Sequence, residues 1–362
     1  MSRATGALID LAALRHNLKR VRELAPRSRI MAVVKANAYG HGIAVVAQAL
    51  AAADAFAVAS LEEAQTLRRA GLSNPVVLLE GVFGDAELEE AARWDCELVV
   101  HDAYQLKLIE QSALKGELGV WLKVDSGMNR LGFAPAAVPD AWKRLNRARA
   151  VKQPVRLMTH FASADETSNP KTLAQLETFA AATAGIEAER SIANSAGILA
   201  WPQSHADWVR PGSMLYGASP FADKSGSDDG LKPAMTVGTN LIAVKALRKG
   251  ETVGYGGAFV APVDMTLGIA AIGYGDGYPR HAPSGTPVLV KGQRVPLVGR
   301  VAMDMIGVDL SAVSRPEVGD PVVAWGPELP VEEIARAAGT IPLELLCGVT
   351  QRVRYSVVDT RK

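Results

Sequence analysis

The run Met31-Ala-Val-Val-Lys35-Ala-Asn-Ala-Tyr39-Gly-His-Gly42 sets a lysine at the end of a short apolar segment, directly before a Gly-rich loop. Met31–Val34 is unbroken and apolar, which reads as a buried strand. Burying the tip of a lysine is costly unless the amine is paired or neutral. Such a lysine is either an ion-pair partner or a reactive amine with a depressed pKa. Further side chains able to do chemistry follow later apolar runs: Asp125 to Arg130, His160, Asn194 with Ser195, and Arg210 to Ser213.

The elements that must position these groups repeat regularly. Strand-like runs fall at Ile30–Val34, Phe56–Ala59, Val76–Leu79, Leu98–His101, Val120–Val124, Val155–His160, Ser191–Ala193 and Met214–Tyr216. Helix-like segments at Ile43–Ala53, Ser60–Ala70, Asp85–Trp94, Asp102–Ser112, Ala136–Asn146 and Lys171–Ala184 separate most of them. Strands alternating with helices predict a parallel sheet, and eight of them close a barrel. An open doubly wound sheet is the alternative, but no Gly-x-Gly-x-x-Gly follows the first strand. A barrel carries its chemistry at the C-terminal ends of its strands, so residues far apart in sequence would share one rim.

The polar stretch Asp223–Gly230 reads as a linker or exposed turn. Beyond it, Thr236–Lys245, Met265–Ile272, Thr286–Lys291, Arg294–Val298, Ile306–Asp309 and Pro321–Trp325 read as strands, interrupted by one helix at Pro330–Ala338. The fold class is therefore α/β: a (β/α)8 TIM-type barrel over residues 1–230, then a mainly β domain over 231–362. A short N-terminal strand is a candidate to join the second domain.

Hydrophobic residues make up 48% of the 362 and charged ones 21%, enough for a substantial core. The net charge of +1, without a basic stripe, argues against nucleic acid or a membrane surface as partner. Cys96 and Cys347 lack metal-ligand spacing and read as lone buried thiols. No metal is expected, and with no apolar leader at Met1–Gly6 the expected location is cytoplasmic.

If Lys35 holds a carbonyl cofactor, pyridoxal phosphate is the commonest such partner. It needs a phosphate cup, which Asn194-Ser195-Ala-Gly197 and Arg210-Pro211-Gly212-Ser213 could form, although singly each has an ordinary structural reading. An arginine facing the ring nitrogen keeps that nitrogen unprotonated, which suits racemisation better than transamination. Racemisation needs a second proton-transfer group on the opposite face, and Tyr255 among glycines in Val253-Gly254-Tyr255-Gly256-Gly257 is a candidate.

Together with Lys123-Val-Asp-Ser-Gly-Met-Asn-Arg130-Leu-Gly-Phe133, Val209-Arg210-Pro-Gly212, Ile272-Gly-Tyr274-Gly-Asp-Gly277 and Gly299-Arg-Val-Ala-Met303-Asp304-Met, these motifs resemble the bacterial alanine racemases over nearly the whole chain. The resemblance implies a homodimeric pyridoxal-phosphate enzyme acting on alanine, either supplying D-alanine for peptidoglycan or degrading alanine. A broad-specificity amino-acid racemase on the same scaffold is the alternative. By resemblance, Lys35 is the Schiff-base lysine and one base, and Tyr255 of a second subunit is the other. Tyr39, Ser195, Gly212 and Ser213 hold the phosphate. Arg210 faces the ring nitrogen and communicates through His160. Arg130 contacts the cofactor and the substrate carboxylate. Met303 and Asp304 close the substrate pocket, and Tyr274 guards the access channel. Lys123 is a candidate for carbamylation, which would let it orient Arg130. Two departures stand out: Gln351, or nearby Tyr355, stands where some relatives have a phosphate-binding tyrosine, and Asn37 stands where some have aspartate.

Overall fold

The computed structural model describes residues 4–359. They form two compact units: Asn17–Leu215, and a second built from the residues up to His16 together with those from Tyr216 onward.

In the first unit eight parallel strands close into a barrel: Arg29–Val33, Ala55–Val58, Val76–Leu78, Cys96–Val100, Leu118–Lys123, Val151–Met158, Arg190–Ser191 and Trp208–Val209. The last pairs with the first at Arg29↔Trp208 and Ile30↔Val209. The central strands are Ala- and Val-rich and buried on both faces, as a helix-covered parallel sheet requires. Caps start several helices: Ser60 Oγ accepts from Glu63 N at 3.4 Å, and Asp102 Oδ1 from Tyr104 N at 3.0 Å. One strand differs from the sequence reading. Ser213–Tyr216 is a 3-10 turn, and the eighth strand is Trp208–Val209. Pro211, with no N–H to give the ladder, keeps that strand short.

Met31, Val33, Ala55, Ala57, Val77, Val99, Trp121, Met158 and Trp208 fill the barrel as one apolar cluster. Towards the N-terminal ends of the strands it is closed by two tryptophans in edge-to-face contact, ring centroids 5.7 Å apart. Trp121 Nε1 donates to Glu97 at 2.7 Å and Trp208 Nε1 to Glu189 at 3.0 Å. Arg156 bridges the same two glutamates at 2.9 and 3.1 Å. Each tryptophan's polar edge is thus satisfied, and the open end of the barrel is the opposite one.

The second unit is built on an eight-stranded sheet. Met235–Leu247, Pro321–Trp325, Pro287–Val290, Gln293–Val298, Ile306–Asp309 and Met265–Ala270 run round a ring, the last pairing back to the first. Gly6–Asp10 adds to Met235–Leu247 antiparallel and carries Arg354–Val358 parallel beyond it. A separate ribbon, Thr252–Val253 with Phe259–Val260, presents the turn Tyr255–Gly257.

The stretch Asp223–Gly230 is not a solvated linker. It folds as a 3-10 turn at Gly226–Asp229 inside the second unit, whose longer segment begins at Tyr216. The buried Glu332 carboxylate accepts from Ser219 N and Gly226 N, both at 2.9 Å, and so ties this loop down. Cys96 is buried, but Cys347 is exposed, unlike the pair of buried thiols the sequence suggests. Among the described residues no helix is long and apolar enough to cross a membrane. Nor does any group of three or more His, Cys, Asp or Glu among them form a metal site.

Candidate active site

Alternation along the strands selects the site. Two residues beyond the last inward-facing residue of six strands come Lys35, Leu79, His101, Lys123, His160 and Arg210. Apart from Leu79, a polar layer therefore sits directly on the apolar core at the C-terminal mouth, where barrels carry their chemistry.

Lys35 opens one turn of left-handed helix. Ala36, Asn37, Ala38 and Tyr39 have φ of 52, 53, 54 and 51°. Left-handed backbone costs non-glycine residues roughly 1–2 kcal/mol each, so the turn must be held from outside. Asn37 Oδ1 accepts from Ile43 N at 2.9 Å, and Gly42 N donates to Asn37 O at 3.0 Å. Aspartate would offer Ile43 N the same side-chain oxygen. The buried His41 ring donates from Nδ1 to Tyr39 O at 2.9 Å and Ala38 O at 3.1 Å. Burial pushes the His41 pKa down to about 4. Its folded value lies below its unfolded one, so its contribution is complete above about pH 6.5 and is lost as pH falls towards 4. Between pH 7 and 5 this should cost roughly 2 kcal/mol. Urea unfolding at both pH values should show the loss, and His41→Gln should reduce the difference.

Tyr39 and Gly212 meet: a Cβ at position 212 would stand 2.8 Å from the Tyr39 hydroxyl. Ser195, at the start of the helix Ser195–Ala200, accepts through Oγ from Gly212 N at 2.9 Å and Met214 N at 3.4 Å. Among the described residues the Ser195 hydroxyl donates to nothing, and the Ser213 side chain makes no hydrogen bond; both serines are buried. Two buried hydroxyls with hydrogens to give, one of them tied to the glycine that meets Tyr39, suit an anion such as phosphate.

Arg210 is buried, and burial pushes its pKa down to about 10, still charged at neutral pH. Its Nη1 donates to Ser191 Oγ at 2.7 Å; its Nη2 donates to Thr159 O at 2.6 Å and lies 3.2 Å from His160 Nδ1. Its Nε has no acceptor among the described residues, which leaves that N–H of an immobilised guanidinium for a ligand. Burial first, then Arg210, Lys123, Arg130 and Lys35, hold His160 well below its usual range, so its ring is neutral. Lys123 is pushed down to about 8 by burial and by Arg210, Arg130 and Lys35, opposed by Asp125. It makes no ion pair with Asp125, whose Oδ1 instead accepts from Gly127 N and Asn129 N, both at 3.0 Å, and shapes the loop carrying the exposed Arg130.

Tyr255, Tyr274, Met303 and Asp304 all lie in the second unit. Tyr255 is 66% exposed and Met303 50%. Gln351 is exposed in a turn, and Tyr355 lies on the strand Arg354–Val358 opposite Ala7. Sequence reasoning missed His41 and His101. His101 donates from Nε2 to Glu80 O at 3.1 Å and ends the strand beside Lys123, one residue past the register pair Val100↔Leu122. Counting two residues on from the inward-facing Val99 would have found it.

Comparison with known proteins agrees with this architecture. Residues 9–220 match the family model "Alanine racemase, N-terminal domain" and residues 234–357 "Alanine racemase, C-terminal domain". The alanine racemase of Nitrosococcus oceani is 59% identical over 350 residues, 96% of this chain and 97% of that protein. The biosynthetic alanine racemase of Escherichia coli K12 is 50% identical over 357 residues, 98% and 99% of the two chains. The crystal structure of the biosynthetic alanine racemase from Pseudomonas aeruginosa superposes with a TM-score of 0.96 at 47% identity, covering 99% of this chain and 100% of that one. With both of its halves matched in order and its barrel and β unit reproduced, the chain belongs to the alanine racemase family.

Proposed function

We propose that the protein interconverts L- and D-alanine as a homodimer with pyridoxal phosphate at the barrel mouth, supplying D-alanine for peptidoglycan. The observation carrying this reading is the convergence of Lys35, Lys123, Arg130 and Arg210 on the neutral His160, beside two serines with hydroxyl hydrogens to give. The biosynthetic relatives favour the anabolic role.

Lys35 would hold the cofactor covalently, with Tyr39, Ser195, Gly212 and Ser213 around the phosphate and Arg210 at the ring nitrogen. When bound, the cofactor supplies an electron sink that acidifies the substrate Cα–H. Arg210 limits that sink, because a guanidinium that keeps its own protons leaves the ring nitrogen unprotonated. Arg130 faces the substrate carboxylate. Lys35 Nζ exchanges a proton on one face of Cα, and Tyr255 Oη of a second copy exchanges one on the other. Met303, Asp304 and Tyr274 of that copy narrow the pocket.

An absorbance band in the visible, lost on borohydride treatment with the label on Lys35, tests cofactor and lysine together. A protein that stays colourless and inactive with added pyridoxal phosphate overturns the reading. Turnover of L-serine, L-lysine and L-arginine at rates comparable to alanine would replace it with the broad-specificity racemase.

Lys123 enters as a carbamate. With a pKa of about 8, roughly a tenth of its amine is neutral at pH 7 and able to attack carbon dioxide. An N–C bond forms, a proton leaves to solvent, and one cation of the cluster becomes an anion facing Arg130. A carbon-13 carbamate signal should appear in labelled bicarbonate and be absent from Lys123→Met.

A further inference from the structure

The turn Tyr274–Asp276 and the segment Ala302–Asp304 are zipped together: Tyr274 N donates to Ala302 O at 3.0 Å and Gly275 N to Met303 O at 2.8 Å. The segment before the last strand clips beneath them, with Thr350 Oγ1 donating to Gly275 O at 2.8 Å. Arg352 completes the assembly. Its Nε donates to Asp276 Oδ1 at 2.8 Å and its Nη2 to Asp304 Oδ1 at 2.5 Å. The Asp276 side chain is wholly buried and also caps Gly273 N through Oδ2 at 2.9 Å, whereas Asp304 is 45% exposed. One planar fork thus spans two carboxylates on two different loops, a geometry an ammonium cannot reproduce.

We infer that Arg352 is a positioning residue for substrate binding, holding the Asp304 carboxylate and offsetting part of its charge so that it repels the carboxylate of the amino acid less. This rests on the proposed placement of Tyr274, Met303 and Asp304 at the substrate pocket. An anion beside an anionic substrate raises KM unless it is compensated, and Arg352 is the cation that compensates it. The same fork fixes the spacing of Tyr274 from Asp304, and with it the width of the access route.

Three variants, assayed with the cofactor-loaded enzyme, separate this from a structural role. Arg352→Gln should raise KM for alanine about tenfold, with kcat changed no more than about twofold. Adding Asp304→Asn to it should lower KM at least about threefold from the single variant's value, because the charge that Arg352 had offset is gone. The unfolding midpoint should be equally lowered in the single and double variants, since both remove the Arg352 fork from Asp276. Hydrogen exchange without substrate should quicken at residues 273–277 and 302–305 in Arg352→Gln, but only at 302–305 in Asp304→Asn. The exchange result reads the linkage even if the parent does not racemise alanine, in which case the proposed function fails by itself. An unchanged KM in Arg352→Gln, a double variant no better than the single, or unaltered exchange at both loops overturns the inference.

Discussion

Tyr255→Phe should lower kcat/KM for alanine by roughly 10²–10⁴-fold, the range a positioned acid–base group contributes. The loss must be equal in both directions. L- and D-alanine have the same free energy in water, so no variant can favour one direction at equilibrium. The asymmetry should surface in exchange of the α-hydrogen with deuterated solvent. D-alanine, whose proton Lys35 takes, should still exchange without inverting, while L-alanine, which needs the tyrosine, should exchange far more slowly. Following both exchange rates alongside racemisation checks the assignment of faces. Equal exchange of the two enantiomers, or unchanged racemisation, rules it out. Tyr255 is suited to the comparison because its ring is 66% exposed in the isolated chain. Loss of one hydroxyl there removes no buried hydrogen bond and should leave the unfolding midpoint within a degree or two.

Lys35→Ala should have the largest effect of any single change. It removes one of the two proton-transfer groups and the covalent hold on the cofactor, so activity should fall by about 10⁴-fold or more. The visible band should vanish even with pyridoxal phosphate in excess. Phosphate-side affinity should persist, because Tyr39, Gly212 and Ser195 meet one another through contacts that do not involve the lysine amine. Equilibrium dialysis against pyridoxal phosphate should therefore detect weakened binding. Complete loss of binding would show that the turn Lys35–Tyr39 does not survive without its first side chain.

The elements that position these groups were legible where local chemistry and tertiary demand agree. Apolar runs bounded by caps gave seven of the barrel strands, with ends displaced by a few residues. Ser60 and Asp102 cap their helices as their types suggest. The eighth strand was misplaced because Met214-Leu215-Tyr216 is as apolar as a strand, yet Ser195 Oγ captures Gly212 N and Met214 N and turns that segment aside. The helix Leu11–Leu24 and the strand Arg354–Val358 were not read at all. Arg354–Val358 alternates poorly because it lies at the edge of its sheet, largely exposed, and only its pairing with Gly6–Asp10 makes it a strand. The left-handed turn after Lys35 was illegible for a different reason. Ala36, Asn37 and Ala38 include no glycine, and the local bonds from His41 and Ile43 that hold the turn exist only once it has formed.

Site residues were legible to the extent that they end strands. Lys35, Lys123, His160 and Arg210 could be placed on one rim from their positions alone. What they do to one another could not. The depressed Lys123 amine arises from burial with three other cations nearby and no direct ion pair, which no spacing in the sequence announces.

The strand Gly6–Asp10 has a consequence for how the molecule is made. Its register partners are Gly238 to Met235 on one side and Arg354 to Val358 on the other. A ribosome working at roughly 5–20 residues per second takes on the order of tens of seconds to reach the last of them. A segment synthesised before the whole barrel is therefore among the last to find its place. Asn17–Leu215, by contrast, contains all eight barrel strands and has its full complement of residues long before synthesis ends. During that interval the nascent chain carries Gly6–Asp10 without either of the strands it pairs with.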